Sequence, residues 1–309
     1  MFKFKRTDDF FCFAEGEMKS LALIKSANTV RNYHTALNSL ELFLHRRRLP
    51  LRHVSRQLMQ DYEQWLLHSG LCRNTSSAYL RSLQALFNRA VDQGLTPERN
   101  PFRRVFTGNE KTCKRTLGLQ DVKRLLAARP ADDRLRLAAD VASFSFYVCG
   151  MPFVDVAHLK WSQLSHGYLS YRRRKTGVGV TVRLQPEALA ILKRYRDRNS
   201  EYVFPLLHDD NPQDYPLALT RYNRALARLG RETGISRKLT SYVVRHSWAS
   251  QSERISMPDR VKGQGLGHTN VRTTTIYVAS IDHGQLDRYN RRLLNTLLSE
   301  PSVGAAKRT

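Results

Sequence analysis

Three side chains in the C-terminal third of the sequence have the types and spacing needed to attack a phosphodiester. Arg245 lies in the run Tyr242-Val243-Val244-Arg245-His246, Leu266-Gly267-His268 follows, and Tyr277 comes nine residues after His268. A phenol with an ordinary pKa of about 10 is a weak nucleophile at neutral pH, and a phosphodiester repels anions. An arginine fork stays charged and bonds two non-bridging oxygens as negative charge grows. This role is assigned to Arg245.

Each of these residues also has an ordinary structural interpretation. Arg245 alone could be an ion-pair residue, His268 a helix-capping histidine and Tyr277 a buried aromatic side chain. Taken singly, each of these structural interpretations is favoured, and the chemical interpretation depends on the three residues acting together.

The charge balance of the chain predicts a polyanionic partner. There are 51 Lys and Arg against 27 Asp and Glu, a formal net charge of +24. Each phosphate that Lys or Arg neutralises releases condensed counterions and strengthens binding. A membrane partner is not predicted, because no run approaches the roughly 18 apolar residues of a bilayer span. We therefore expect a cytoplasmic protein.

The cysteines give no sign of a metal site or a disulfide framework. They are dispersed, without C-x-x-C spacing or a clustered histidine, and we expect reduced thiols and no metal. They are Cys12, Cys72, Cys113 and Cys149.

Hydrophobic periodicity predicts a mainly α-helical fold with a small β-sheet. Helical spacing over 29–48, 57–68 and 75–93 indicates a four-helix unit, and a basic stretch follows it. Helical patterns resume over 119–127 and 133–148 and after Pro152. Alternation around Thr176-Gly177 predicts a β-hairpin, and helical patterns then continue to residue 299.

The boxes around Arg245, His268 and Tyr277 resemble those of the tyrosine recombinases, the phage integrase family, including integrases of Bacteroides-type mobile elements and DNA invertases. An Arg-His pair, Leu-Gly-His and a tyrosine nine residues later are that family's motifs. The resemblance implies that Tyr277 forms a 3′-phosphotyrosine intermediate during integration, excision or inversion, and that His268 contacts the phosphate or moves the tyrosine proton. It also implies no metal or other cofactor, because the phosphotyrosyl bond keeps the energy needed for religation.

The resemblance also implies a domain division. Residues 1–105 are expected to form a helical core-binding, SAM-like domain and 106–115 a basic linker. Residues 116–300 are expected to form an α+β catalytic domain, followed by a flexible tail at 301–309.

The hairpin is expected to supply a lysine. In the family a hairpin lysine acts as general acid toward the leaving 5′-oxygen, and Lys175 matches that position. Strand alternation predicts that Tyr171, Arg173 and Lys175 project to one side and Arg172 and Arg174 to the other. Arg173 and Lys175 would then reach one phosphate while Arg172 and Arg174 bind DNA. The alternative is a solvated hairpin, or one that only grips DNA.

The chain departs from the family pattern at its first catalytic arginine. In Gly150-Met151-Pro152-Phe153-Val154-Asp155, Pro152 stands where that arginine is expected, and Asp155 retains the acidic position that braces it. One hypothesis is that Arg173 supplies the lost charge from the hairpin. A second is weakened or lost catalysis in a DNA-binding protein. A third hypothesis is that the missing arginine corresponds to Cys149, where some relatives carry arginine.

The second box departs as well, because Tyr242 stands where the family usually has histidine. Its phenol donates a hydrogen bond but does not shuttle protons near neutral pH. Tyr242 and His246 are therefore assigned supporting roles.

The resemblance implies double-stranded DNA with specific recombination sites as partner and a homotetramer on two sites, with accessory DNA-bending proteins as further candidates. Lys111, Lys114 and Arg115 are expected to follow the DNA backbone. The helix at 285–299 either passes to a neighbouring subunit or packs in its own domain. A DNA-relaxing topoisomerase with the same tyrosine chemistry is the rival enzyme.

Overall fold

The computed structural model describes residues 8–24, 27–111, 115–196, 200–207, 214–267 and 283–298. Within these residues there are twelve α-helices and three β-strands, and the helix Phe10–Leu21 and the strand Leu164–Ser165 were not predicted from periodicity. The mainly α fold with a small sheet is confirmed. The chain divides into two units, Met1–Cys113 and Lys114–Thr309. No described helix has both the length and the apolar character of a bilayer span.

The first unit is a four-helix domain. Asp9 caps the first helix by accepting a hydrogen bond from the Cys12 amide at 3.0 Å, and Ser55 caps the third through the Leu58 amide. Its apolar faces meet in one core that includes Leu40, and the helices are α1 Phe10–Leu21, α2 Ala27–Leu44, α3 Arg56–His68 and α4 Arg73–Asp92.

The segment after α4 is bonded to this unit. The Glu63 carboxylate accepts from the Phe106 amide at 2.9 Å, Ser77 donates to the Gly108 carbonyl, and Glu110 pairs with Arg73 at 2.9 Å. The first half of the predicted linker is therefore held against α3 and α4. Lys111 and Arg115 are exposed. Lys114 and the tail at 301–309 lie outside the described residues.

The second unit surrounds a buried helix. Eleven of the fifteen residues of α6 are buried, and α5, α8, α9 and α10 pack against it. The sheet is antiparallel in the order β1-β2-β3, with Tyr171 opposite Val180. The helices are α5 Leu119–Ala127, α6 Asp133–Tyr147, α7 Phe153–Ala157, α8 Pro186–Lys193, α9 Asp214–Glu232, α10 Ser241–Arg254, α11 Asp259–Leu266 and α12 His283–Leu298; the strands are β1 Leu164–Ser165, β2 Tyr168–Arg172 and β3 Gly179–Arg183.

Helix α12 packs within its own unit. Leu293, Leu294 and Leu297 are buried in the core. Asn290 accepts a hydrogen bond from the Trp248 indole at 3.2 Å and donates to the Tyr147 carbonyl at 2.8 Å. Of the two interpretations of this helix, the structure shows packing in its own domain.

Asn290→Ala should lower the free energy of unfolding by about 2 kcal/mol, because the Trp248 N–H and the Tyr147 carbonyl lose a buried partner. Urea denaturation measures this change. Asn295→Ala, on the exposed side of the same helix, should stay within about 0.5 kcal/mol of the unmodified chain. Equal losses in the two variants would contradict a specific role for the Asn290 amide.

Candidate active site

Arg245 faces the interior of the second unit. The Thr240 hydroxyl caps α10 by accepting from the Val243 amide, and the fully buried Trp248 anchors the same helix. The Arg245 side chain is therefore turned inward, and the residue is 9% exposed. Its Nη1 donates to the Gly150 carbonyl at 2.6 Å and its Nη2 to the Leu266 carbonyl at 2.7 Å.

Arg173 reaches the same carbonyl from the hairpin. It follows the last residue of β2 and is 8% exposed. Its Nη1 donates to the Leu266 carbonyl at 2.7 Å and to the Gly267 carbonyl at 3.2 Å, and its Nε lies 3.4 Å from Asp155 Oδ2. Arg173 and Arg245, called the arginine pair below, thus share one acceptor.

The shared acceptor is the C-terminus of α11. The last carbonyls of a helix have no partner within the helix and carry partial negative charge, so cations are favoured there. Gly267 ends α11 in the left-handed conformation, at φ 60°. A side chain there would meet Arg173 Cδ at 2.5 Å and Val180 Cγ2 at 2.8 Å. Glycine thus leaves the space that the Arg173 side chain occupies.

Asp155 supplies the negative charge. Its side chain is 1% exposed, and its Oδ1 accepts from the Arg174 amide at 2.9 Å. Burial raises the pKa of the Asp155 carboxyl, while the Arg174 amide and the Arg173 charge oppose that shift. Burial and the charge of Arg173 lower the pKa of Arg245 to about 10, so Arg245 stays cationic at neutral pH. Two arginines beside one carboxylate form a cluster with an excess of positive charge, which favours an anion.

The first box, residues 150–155, begins with a tight turn between α6 and α7. Cys149 and Gly150 both have positive φ, 65° and 70°, and the Gly150 and Met151 amides donate to the Ser145 carbonyl. Pro152 precedes the first residue of α7 and brings no charge. Cys149 is fully buried in the hydrophobic core.

The hairpin turn separates Lys175 from Arg173. Alternation holds through Arg174: Tyr171 and Arg173 are buried, and Arg172 and Arg174 are exposed. Lys175 does not continue this pattern of burial, because β2 ends at Arg172 and Lys175 lies exposed in the turn. Bending of the chain there ends the alternation.

Tyr242 lies outside this pocket. It is 68% exposed, and its ring meets the His246 ring edge-on at a centroid distance of 4.1 Å. His268 and Tyr277 lie outside the described residues. Among the residues that the structure does describe, no group of three or more His, Cys, Asp or Glu could hold a metal ion.

Sequence reasoning missed the carbonyls of Gly150, Leu266 and Gly267. Every residue carries a carbonyl, so residue type does not reveal which ones will face an arginine. The one available signal was the glycine of Leu-Gly-His, which is typical of a helix C-terminus.

Two family models match the chain. The phage integrase family matches residues 115–283, and the phage integrase SAM-like domain matches residues 9–109. The chain therefore belongs to the phage integrase family.

Similar sequences are named tyrosine recombinases. XerD of Pseudomonas aeruginosa is 25% identical over 264 residues, covering 81% of this chain and 86% of that protein. XerA of Pyrococcus furiosus is 27% identical over 172 residues, covering 54% of this chain and 58% of that protein.

The fold is also that of solved integrases. A lambda integrase dimer bound to a COC' core site gives a TM-score of 0.65 at 17% identity, covering 89% of this chain and 99% of that one. The Tn1549 transposon integrase with circular intermediate DNA gives 0.65 at 15% identity, covering 90% and 98%.

Gly267→Ala should displace Arg173 and lower stability by more than the strain of a left-handed alanine, about 1 kcal/mol. Gly234 is a matched control, because its φ is +66° and nothing lies within 4 Å of an added Cβ. Urea denaturation of both variants separates backbone strain from the clash with Arg173. Equal destabilisation would contradict the proposed contact.

Proposed function

We propose that this chain is a site-specific DNA recombinase that cleaves and rejoins DNA through a 3′-phosphotyrosine intermediate on Tyr277. The observation that carries the proposal is the meeting of Arg173 and Arg245 at the Leu266 carbonyl, beside Asp155. Arg173 thereby brings a cation to the acidic residue of the first box, where Pro152 brings none. This arrangement supports catalysis by a relocated arginine.

In the proposed reaction the arginine pair holds the non-bridging oxygens of the scissile phosphate. Arg173 has a second terminal nitrogen, Nη2, that bonds no described residue and remains available for an oxygen. The Tyr277 oxygen attacks phosphorus and the 5′-oxygen leaves, taking a proton from Lys175. His268 bonds the phosphate or accepts the tyrosine proton, and the 5′-hydroxyl of the partner strand reverses these steps at religation.

The exposed position of Lys175 suits a residue that meets DNA as it binds. The same holds for Arg172 and Arg174, which are exposed on the outer side of the hairpin. We assign these two, with Lys111, Lys114 and Arg115 of the linker, to the DNA backbone. The formal charge of +24 supports this assignment.

Strand exchange requires paired sites. Solved lambda integrase includes a tetramer bound to a Holliday junction, with a TM-score of 0.64 and 18% identity, covering 89% of this chain and 81% of that one. We propose that four copies of this chain act on two DNA sites in the cytoplasm, associated with the nucleoid when bound and assisted by DNA-bending proteins.

Residues 1–105 would act as the core-binding domain, 106–115 as the linker, 116–300 as the catalytic domain and 301–309 as a tail.

Arg173→Ala should slow covalent adduct formation about 100-fold, because one preorganised donor to the phosphate is lost. The substrates are nicked duplexes carrying the inverted repeats that flank the gene, with EDTA present, and the adduct is measured on denaturing gels. Arg173→Lys should also be slow, because lysine lacks the planar fork. Arg228→Ala is the matched control, because Arg228 is an exposed arginine, paired with Asp132 and Glu232, that has no assigned DNA contact.

Tyr277→Phe should abolish the adduct. An adduct yield in Arg173→Ala equal to that of the unmodified chain would contradict the relocated arginine. Tight site binding without any adduct would favour a DNA-binding protein that has lost catalysis. Relaxation of supercoiled DNA without sequence dependence would favour a topoisomerase.

DNA affinity should fall steeply with salt, with a slope of about −0.9 in log K per phosphate contacted. Lys111→Gln with Arg115→Gln should reduce that slope by about 2. Fluorescence anisotropy of a labelled duplex at a series of salt concentrations measures it. Arg228→Gln is the control, because Arg228 is already paired with Asp132 and Glu232. An unchanged slope in the double variant would remove the linker from the DNA interface.

A further inference from the structure

A buried phenol on the same side of β2 as Arg173 has no hydrogen-bond partner among the described residues. Tyr171 is 6% exposed, and its hydroxyl bonds no residue that the structure describes. Strand alternation in β2 places it on the same side as Arg173. Buried polar groups are normally paired, so an unpaired hydroxyl next to a site calls for an explanation.

The Tyr171 phenol interacts electrostatically with the charged groups around the arginine pair. The charges of Asp155, Arg173 and Arg245 all act on it, and the phenol acts in turn on Arg245. Burial is the main cause that raises the pKa of Tyr171, with the Asp155 charge second. Tyr171 therefore keeps its proton at neutral pH and is a hydrogen-bond donor.

Two donors near the arginine pair have no partner among the described residues. The carbonyls of Gly150, Leu266 and Gly267 and the Asp155 carboxylate are occupied by the arginines and the Arg174 amide. Tyr171 and Arg173 Nη2 are left over. An anion with several oxygens supplies acceptors to both at once, and a phosphodiester has two non-bridging oxygens.

We propose that Tyr171 is a further catalytic residue, whose hydroxyl donates a hydrogen bond to a non-bridging oxygen of the scissile phosphate held by the arginine pair. This inference rests on the recombinase function proposed above. Tyr171 keeps its proton throughout and forms no covalent bond, so its role differs from that of the nucleophile Tyr277. The added donor strengthens as charge grows on the phosphate oxygens in the transition state.

Tyr171→Phe tests the proposal because it removes one oxygen atom and keeps the ring. On the duplex that forms the Tyr277 adduct, the variant should react about 100-fold more slowly. Its thermal unfolding midpoint should be equal to or above that of the unmodified chain, because the lost hydroxyl is unpaired in the free protein. Tyr195→Phe is the matched control: its hydroxyl donates to Asp140 at 2.8 Å, so it should lose stability and keep its adduct rate.

Contact with the phosphate is tested by replacing one non-bridging oxygen with a methyl group. With the methylphosphonate diastereomer that lacks the contacted oxygen, Tyr171→Phe and the unmodified chain should react at the same rate. An equal loss on the normal and both methylphosphonate substrates would overturn the proposal in favour of a structural role. A normal rate in Tyr171→Phe on the unmodified substrate would overturn it as well.

Failure of the proposed recombinase function can be distinguished from failure of the Tyr171 proposal. If the unmodified chain forms no Tyr277-dependent adduct on any flanking repeat, both the recombinase proposal and the role of Tyr171 are overturned. If the unmodified chain reacts and Tyr171→Phe reacts equally well, only the role of Tyr171 is lost.

Discussion

The candidate site depends on two guanidinium groups being held in one buried pocket. Like charges repel more strongly away from water, and burial alone opposes their ionisation. The C-terminus of α11 offsets this cost, because the Leu266 carbonyl accepts from both Arg173 and Arg245. The Asp155 carboxyl lies 3.4 Å from Arg173 on one side. With two guanidinium groups against one carboxyl group, the cluster has the excess of positive charge that the proposed phosphate binding requires.

This constraint ties together elements that are distant in sequence. The Arg245 guanidinium bridges the carbonyls of Gly150, after α6, and Leu266, at the end of α11. Arg173 joins the hairpin to α7 through Asp155 and to α11 through Leu266 and Gly267. A shift of any one element would leave a buried charge short of a partner, which is among the costlier defects in a protein interior. The helices around α6 thus hold the site as a unit.

Periodicity predicted most helices because their apolar faces pack in the two cores. Arg245 was singled out by the Arg-His pair in which it lies. That Arg173 supplies the charge missing at Pro152 was one of three hypotheses, and the contact between Arg173 and Asp155 agrees with it. The place of Lys175 was not predictable, because strand alternation does not reveal where β2 ends. The role of the Leu266 carbonyl as acceptor for both arginines was not predictable for a different reason, because it depends on how α11 packs against β2 and α10.

The relocation of the arginine proposed for Arg173 has a consequence for what the first box has to provide. A phosphate responds to the position of a positive charge and its donors, and the chain position from which the side chain comes is irrelevant to that interaction. Asp155 fixes the position here, since it orients Arg173 through Nε and the hairpin through the Arg174 amide. Position 152 then no longer needs a charged side chain. Proline is favourable there, before α7, because its φ suits the entry to a helix. The acidic residue, more than the arginine of the first box, is therefore the element around which this site is built.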